Sequence, residues 1–160
     1  MSPDEYEHLV SEIVNEICAH APALAGFSAS YGKTNKVAGA SGYKHQIDVS
    51  LTARTHIYLI ECKRWNDSIG VAEVMVLAAR MKDIADANRT IKAQAILASL
   101  KGASRGALKL AAHFGIQLEI VKSASEFGMR VGQFISVGLH VSAVASDSIE
   151  LEVRKKSPVG

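Results

Sequence analysis

Cysteine is scarce in this chain of 160 residues: there are two, Cys18 and Cys62. They fall in a predicted helix and a predicted strand without metal-ligand spacing, which argues against a zinc site and for a reducing cytoplasm. Long apolar runs are missing as well. None approaches the ~18 to 20 residues that cross a bilayer, and the acidic, polar start shows no signal sequence, so neither a membrane role nor export is expected. Charge of one sign is also lacking. The formal net charge is only +2, so any surface for nucleic acid must come from local clustering rather than from the overall field. No G-x-x-x-x-G-K-[ST] loop is present, which excludes nucleotide hydrolysis of that kind, and neither a helix-turn-helix nor a zinc finger is evident. The length suits one compact domain and is too short for two sizeable ones.

What is present is an alternation of helix and strand patterns. Tyr6, Leu9, Val10, Ile13 and Ile17 share one side of a helix opened by Ser2-Pro3-Asp4 and ended by Pro22, with Glu5, Glu12 and Glu16 facing away. Phe27 to Tyr31 predicts a strand, and Gly32 to Gly42 a polar connection. Gln46 to Leu51 alternates strictly, with Gln46, Asp48 and Ser50 on a polar side and Ile47, Val49 and Leu51 on the other. After a turn over Thr52 to His56, Ile57-Tyr58-Leu59-Ile60 is apolar on both faces, as a strand deep in a sheet should be. Val71, Val74, Met75, Ala78, Met81 and Ala85 mark a second helix, with Glu73, Arg80, Lys82 and Asp83 on its wet side. Ile91 to Leu100 predicts a strand, Ala103 to Phe114 a helix stopped by Gly115, and Ile116 to Lys122 another strand. Strands separated by helices imply parallel pairing behind the hairpin, hence an α/β fold: a mixed central β-sheet flanked by helices on both faces. Residues 126–160 are expected to extend this domain, with Phe134 to Val144 and Ile149 to Val153 forming an edge hairpin around Ser146-Asp147-Ser148. Edge strands with apolar faces invite pairing with a second copy, so a homodimer is expected.

The most informative residues are Asp48, then Glu61 and Lys63. Side chains alternate across a strand, so Glu61 and Lys63 point to one face, about 6 to 7 Å apart. An acid and an amine at the end of so apolar a strand are costly unless a metal, a phosphate or each other compensates them. Magnesium prefers oxygen ligands and is typically held by one or two carboxylates plus phosphate oxygens. Asp48 and Glu61 would supply the carboxylates, and Lys63 would orient or deprotonate water and offset charge on a phosphate. A surface salt bridge is the plain alternative for an E-x-K pair.

Ser41-Gly42-Tyr43-Lys44-His45-Gln46-Ile47-Asp48-Val49 followed by Ile60-Glu61-Cys62-Lys63-Arg64-Trp65 resembles the PD-(D/E)XK nuclease signature, most closely its Mrr-type restriction endonuclease branch. Tyr6-Glu7-His8-Leu9-Val10 is similar to the opening of the first helix in that branch. Ile47 stands where many members carry proline. The resemblance implies a restriction-endonuclease-like core over residues 1–125. It also implies metal ligation by Asp48 and Glu61 with the Cys62 carbonyl as a further ligand, Lys63 at the attacking water, and Glu7 in an accessory role at the metal. An acid in the first turn of a helix also favours the macrodipole, which leaves Glu7 a structural alternative.

Around this centre, Lys33, Lys36 and Lys44 can meet a nucleic-acid backbone. His45 could touch a phosphate or the metal-bound water, or serve as a hydrogen-bonded surface residue, and Arg64 and Trp65 follow the motif, Trp65 stacking on a base or sugar or packing at the sheet edge. Lys101 and Arg105 flank a strand-to-helix junction that could hold a phosphate or be an ordinary cap. The expectation is a magnesium-dependent endonuclease acting on DNA, with manganese able to substitute. It would serve in restriction, defence, repair or recombination, alone or with other proteins of such a system. The alternative is a module that binds nucleic acid or a partner on the same fold without cutting.

Overall fold

The structure is a computed structural model that describes residues 9, 12–17, 19, 27–62, 68–99, 101–120, 122–123 and 125–135. Its centre is a five-stranded sheet in the order β1-β4-β5-β6-β7: β1 is Ser28–Tyr31, β4 Val49–Thr52, β5 His56–Cys62, β6 Lys92–Ser99 and β7 Gln117–Ile120. β1, β4 and β5 pair antiparallel, whereas β5, β6 and β7 pair parallel. The parallel half follows from its connections, because α2 (Val71–Ala87) and α3 (Arg105–Phe114) each carry the chain back to start the next strand. The expected mixed sheet with helices on both faces is therefore the observed architecture.

Alternation along the buried strands divides the core into two layers. Tyr58, Ile60, Val49, Leu51, Ile96 and Ala98 point to one side, where Ile13, Val14 and Ile17 of the helical residues 12–17 (α1) meet Phe127, Val131 and Ile135 of the helical residues 125–135 (α4). Ile57, Leu59, Ala95 and Leu97 point to the other side, against Val74, Leu77, Ala78 and Ile84 of α2 and Ala107 and Ala111 of α3. Each large apolar side chain taken from water here contributes about 1.5–3 kcal/mol. Helix ends are closed locally: Glu73 accepts from the Gly70 N–H before α2, the Ser104 hydroxyl accepts from Ala107 N–H at the start of α3, and Gly115 ends α3 at φ +68°.

Several expectations are corrected. The polar connection after β1 contains a second, two-stranded sheet, β2 (Lys36–Ala38) against β3 (Lys44–Gln46). The strand expected from Gln46 to Leu51 is interrupted at Ile47 and Asp48. Ile47 joins the α2 layer while Val49 joins the α1 layer. The cause is Asn35, a buried side chain that bonds the Ile47 carbonyl at 2.9 Å and the Ser30 carbonyl at 3.0 Å, while its own backbone carbonyl takes the Ile47 N–H at 3.1 Å. Ser50, expected on a wet side, is buried and donates to Asn35 Oδ1. Met75, expected inside, is 45% exposed, because α2 buries Leu77 and Ile84 instead. Of the expected C-terminal hairpin only residues 134 and 135 are described, and they are helical, with Ile135 in the core. The remainder of that hairpin lies outside the described residues.

α1 and α4 touch through Gly128, where an added Cβ would collide with the Glu16 side chain and lie 2.9 Å from the Ile13 carbonyl oxygen. A backbone atom cannot swing aside. Gly128→Ala should therefore destabilise the fold by ~1–3 kcal/mol, read as a lower urea midpoint at unchanged slope; an unchanged midpoint would show that the two helices are not in such close contact.

Candidate functional site

Two strands deliver two acids to one point. The β4–β5 register ends with Val49 opposite Ile60, so the next residues outward are Asp48 and Glu61, on the face that looks toward α2. Asp48 is fixed at both backbone and side chain. Gly32 N–H donates to its carbonyl at 3.1 Å, and Cys62 N–H donates to its Oδ2 at 2.7 Å. Glu61 is gripped from α2, where Arg80 Nη1 donates to Oε1 at 2.7 Å and also to the Gln46 carbonyl at 3.3 Å. Glu61 follows four residues of strand that are buried without exception. Its carboxyl lies at the edge of the apolar layer, with 18% of the side chain exposed.

Burial pushes the Glu61 carboxyl up to about 8; the Asp48 charge and a hydrogen bond to Asp48 add to the rise, and the Arg80 guanidinium opposes it. Two carboxylates this close in an apolar setting repel one another, which favours the protonated form of Glu61. One guanidinium does not neutralise the pair. The donor set is thus two hard carboxylates that one guanidinium offsets only in part, which fits a divalent cation such as magnesium or manganese. Burial and the same two acids also raise the Cys62 thiol well above its ordinary range. Its side chain points into the other layer, and it is the Cys62 N–H that meets Asp48. Among the described residues no group of three or more His, Cys, Asp and Glu side chains is gathered for a metal.

The other expected residues divide into three groups. Lys63, Arg64, Trp65 and Glu7 lie outside the described residues. Lys33, Lys36 and Lys44 are exposed on the turn and the β2–β3 strands that precede Asp48. Lys101 and Arg105 are exposed at the junction of β6 and α3, at the same end of the parallel strands as Glu61. In that junction the Lys101 and Ser104 amides already donate to Ser99 Oγ and the Ile69 carbonyl, and Ser104 caps α3, so the cap reading accounts for the backbone there. His45 is hydrogen-bonded, its Nε2 lying 2.7 Å from Asp83 Oδ2.

Helical periodicity puts Arg80 and Asp83 on the wet side of α2, yet both are engaged. Asp83 accepts from the Ser41 N–H at 2.8 Å and the Ser41 hydroxyl at 2.6 Å; these bonds, with His45, hold its carboxyl down at about 2. Arg80 lies three residues after buried Leu77 and four before buried Ile84, a spacing that places it beside the inward stripe. That spacing is the one signal for it in the sequence. Asn35 carries none, since an asparagine in a polar stretch looks like a turn residue.

A family model described as a restriction endonuclease, Mrr_cat, matches residues 1–123. Among solved structures, the protein of unknown function AF1548 is 24% identical, with 78% of this chain and 65% of that chain covered at a TM-score of 0.57. A Vibrio cholerae protein, VC1899, is 18% identical over 80% of this chain and 32% of its own, at 0.52. A repair endonuclease from Pyrococcus abyssi is 18% identical over 71% and 46%, at 0.49. The first two share the fold, a restriction-endonuclease-like mixed sheet with flanking helices. The chain spans from about a third to just under two thirds of the length of these structures. Among curated proteins no match is found. Among the described residues no helix is long and apolar enough to cross a membrane.

The paired acids have a measurable consequence. Folded Glu61 keeps its proton to about 8, whereas its ordinary value is 4.5. Over that interval the folded state binds more protons than the unfolded state, so metal-free stability falls as pH rises through it. Glu61→Gln is neutral throughout. It should flatten the fall and raise the heat-unfolding midpoint at pH 8 above that of the parent; superimposable pH profiles would show that Glu61 is an ordinary, ionised carboxylate.

Proposed function

The chain belongs to the Mrr_cat restriction endonuclease family, and we propose that it is a divalent-metal-dependent endonuclease hydrolysing phosphodiester bonds of DNA. The observation that carries this reading is the convergence of Asp48 and Glu61 on one point at the end of β5. Members of the family generally use divalent metals. Asp48 and Glu61 would hold the ion, with the Cys62 carbonyl and Glu7 as further ligands, and magnesium is the ion proposed. A bound divalent cation supplies polarisation of the phosphoryl oxygens and a more acidic water.

The chain's own residues supply the rest. Cys62 N–H holds the Asp48 carboxylate in one orientation, and Arg80 does the same for Glu61. Fixed acids need no reorganisation when substrate arrives, which is where electrostatic catalysis gains most. Lys63 is assigned to the attacking water and to the charge that develops on the phosphate. Lys33, Lys36, Lys44, Arg64, Trp65, Lys101 and Arg105 are assigned to the nucleic-acid backbone and its bases. A homodimer in the cytoplasm, acting in restriction, defence, repair or recombination, completes the reading.

Plasmid DNA incubated with magnesium and the protein should be nicked or linearised. Asp48→Ala and Lys63→Ala should each slow this by ~100 to 1000-fold, and equal cleavage by all three proteins would discard the assignment. Heat stabilisation by magnesium or manganese should accompany activity and disappear in Glu61→Ala. Salt-sensitive DNA binding without cleavage, unaffected by metal, would point to a binding module instead.

A further inference from the structure

From Gly32 to Ile47 the chain holds three lysines, Lys33, Lys36 and Lys44, and no acidic residue, although its whole formal charge is only +2. Most of this stretch is the β2–β3 ribbon, which stands apart from the main sheet and pairs Lys36 with Gln46, Val37 with His45 and Ala38 with Lys44. Strand alternation gives the ribbon two unlike faces. Val37 and His45 turn inward, Val37 onto the α2 layer and His45 onto Asp83. Lys36, Ala38, Lys44 and Gln46 turn outward and are exposed. At the tip Tyr43 is 67% exposed.

Two short strands in water hold together poorly by themselves, and here α2 holds them. One Asp83 carboxylate takes the Ser41 amide, the Ser41 hydroxyl and His45. The Asp83 carbonyl takes the Ala40 N–H at 2.9 Å. Gly39 lies so close to the Asp83 carboxylate that a Cβ would have no room. Three residues earlier on the same helix, the Arg80 nitrogen that grips Glu61 also reaches the Gln46 carbonyl. Ribbon and acidic pair are therefore set by one helix, and β3 runs into Asp48 after a single intervening residue. The acid under the tip is turned inward and already bonded, so it does not offset the outer lysines.

We infer that the outer face of this ribbon is a docking surface for duplex DNA, a specification that rests on the nuclease reading. Lys36 and Lys44 meet phosphates, Ala38 between them lets the backbone approach, and Tyr43 packs on a sugar or base at the tip. A two-stranded ribbon is narrow enough to enter the major groove. Held by Asp83 and Arg80, it sets the bound duplex in a fixed position relative to Asp48 and Glu61.

The test is binding of a short fluorescent duplex, and of one of its strands alone, in EDTA across a salt series, beside magnesium-dependent cleavage of a plasmid. Lys36→Ala combined with Lys44→Ala should weaken binding at least ~10-fold at low salt and lower the salt slope by about 2, near 0.9 for each lost phosphate contact. Tyr43→Ala should weaken binding with the slope unchanged. These side chains are exposed, so the heat-unfolding midpoints should match the parent, and Lys36→Gln with Lys44→Gln should reproduce the loss. A parent that binds and cleaves while the double variant binds with the same affinity and slope would overturn the ribbon assignment and leave the nuclease reading standing. A loss confined to single-stranded DNA would overturn the choice of duplex. A parent that neither binds nor cleaves would sink the nuclease reading itself.

Discussion

The contact between Asp48 and Glu61 is the constraint around which the surrounding structure is arranged. An antiparallel register that ends at Val49 and Ile60 leaves the next two residues facing each other, and both are acids. Bringing them together at the mouth of an apolar layer is unfavourable, and burial plus mutual repulsion raises Glu61 to about 8. The neighbouring groups answer this strain in part: the Cys62 amide serves Asp48, and the Arg80 guanidinium serves Glu61. Arg80 opposes the rise without returning Glu61 to its ordinary range. When both acids are ionised the pair carries one negative charge more than Arg80 offsets, and it lies at the carboxyl end of a parallel strand, the end at which open α/β sheets bind ligands.

α2 does more than cover the sheet. Its buried stripe of Val74, Leu77, Ala78 and Ile84 fixes the helix against β5 and β6. With the stripe fixed, Arg80 and Asp83 fall at its margin, one over Glu61 and the other under the β2–β3 tip. A single rigid element thus sets an acidic centre and a basic ribbon in one frame. Asn35 does the corresponding work on the opposite side by tying β1, the Ile47 kink and Ser50 together. The kink is what allows Ile47 and Val49 to serve different core layers while Asp48 stays at the surface between them.

Asp48 and Glu61 are legible in the sequence because strand periodicity and hairpin spacing are local properties. The mixed sheet is legible for the same reason: apolar strands alternate with amphipathic helices. Periodicity misplaces Arg80 and Asp83 because a helical pattern shows which residues are apolar but not how the helix rolls on its neighbours, and a roll of a fraction of a turn exchanges Met75 for Leu77 in the core. Valine-rich composition predicts strand at residues 134 and 135, yet Phe127, Val131 and Ile135 form one helical stripe that closes the α1 layer. There the need to cover an exposed sheet face outweighs β propensity, which is the weaker and more context-dependent preference.

By itself the sequence determined the fold class and the nearness of Asp48 to Glu61, since both are written in periodicities and spacings a few residues long, and its motif carried the resemblance to the family. Only the tertiary structure decided which cation grips Glu61, which acid locks the basic ribbon, and where the strand before Asp48 breaks. Those depend on contacts between residues twelve to more than forty positions apart, whose partners are chosen by how helices settle on the sheet, and no local pattern records that choice.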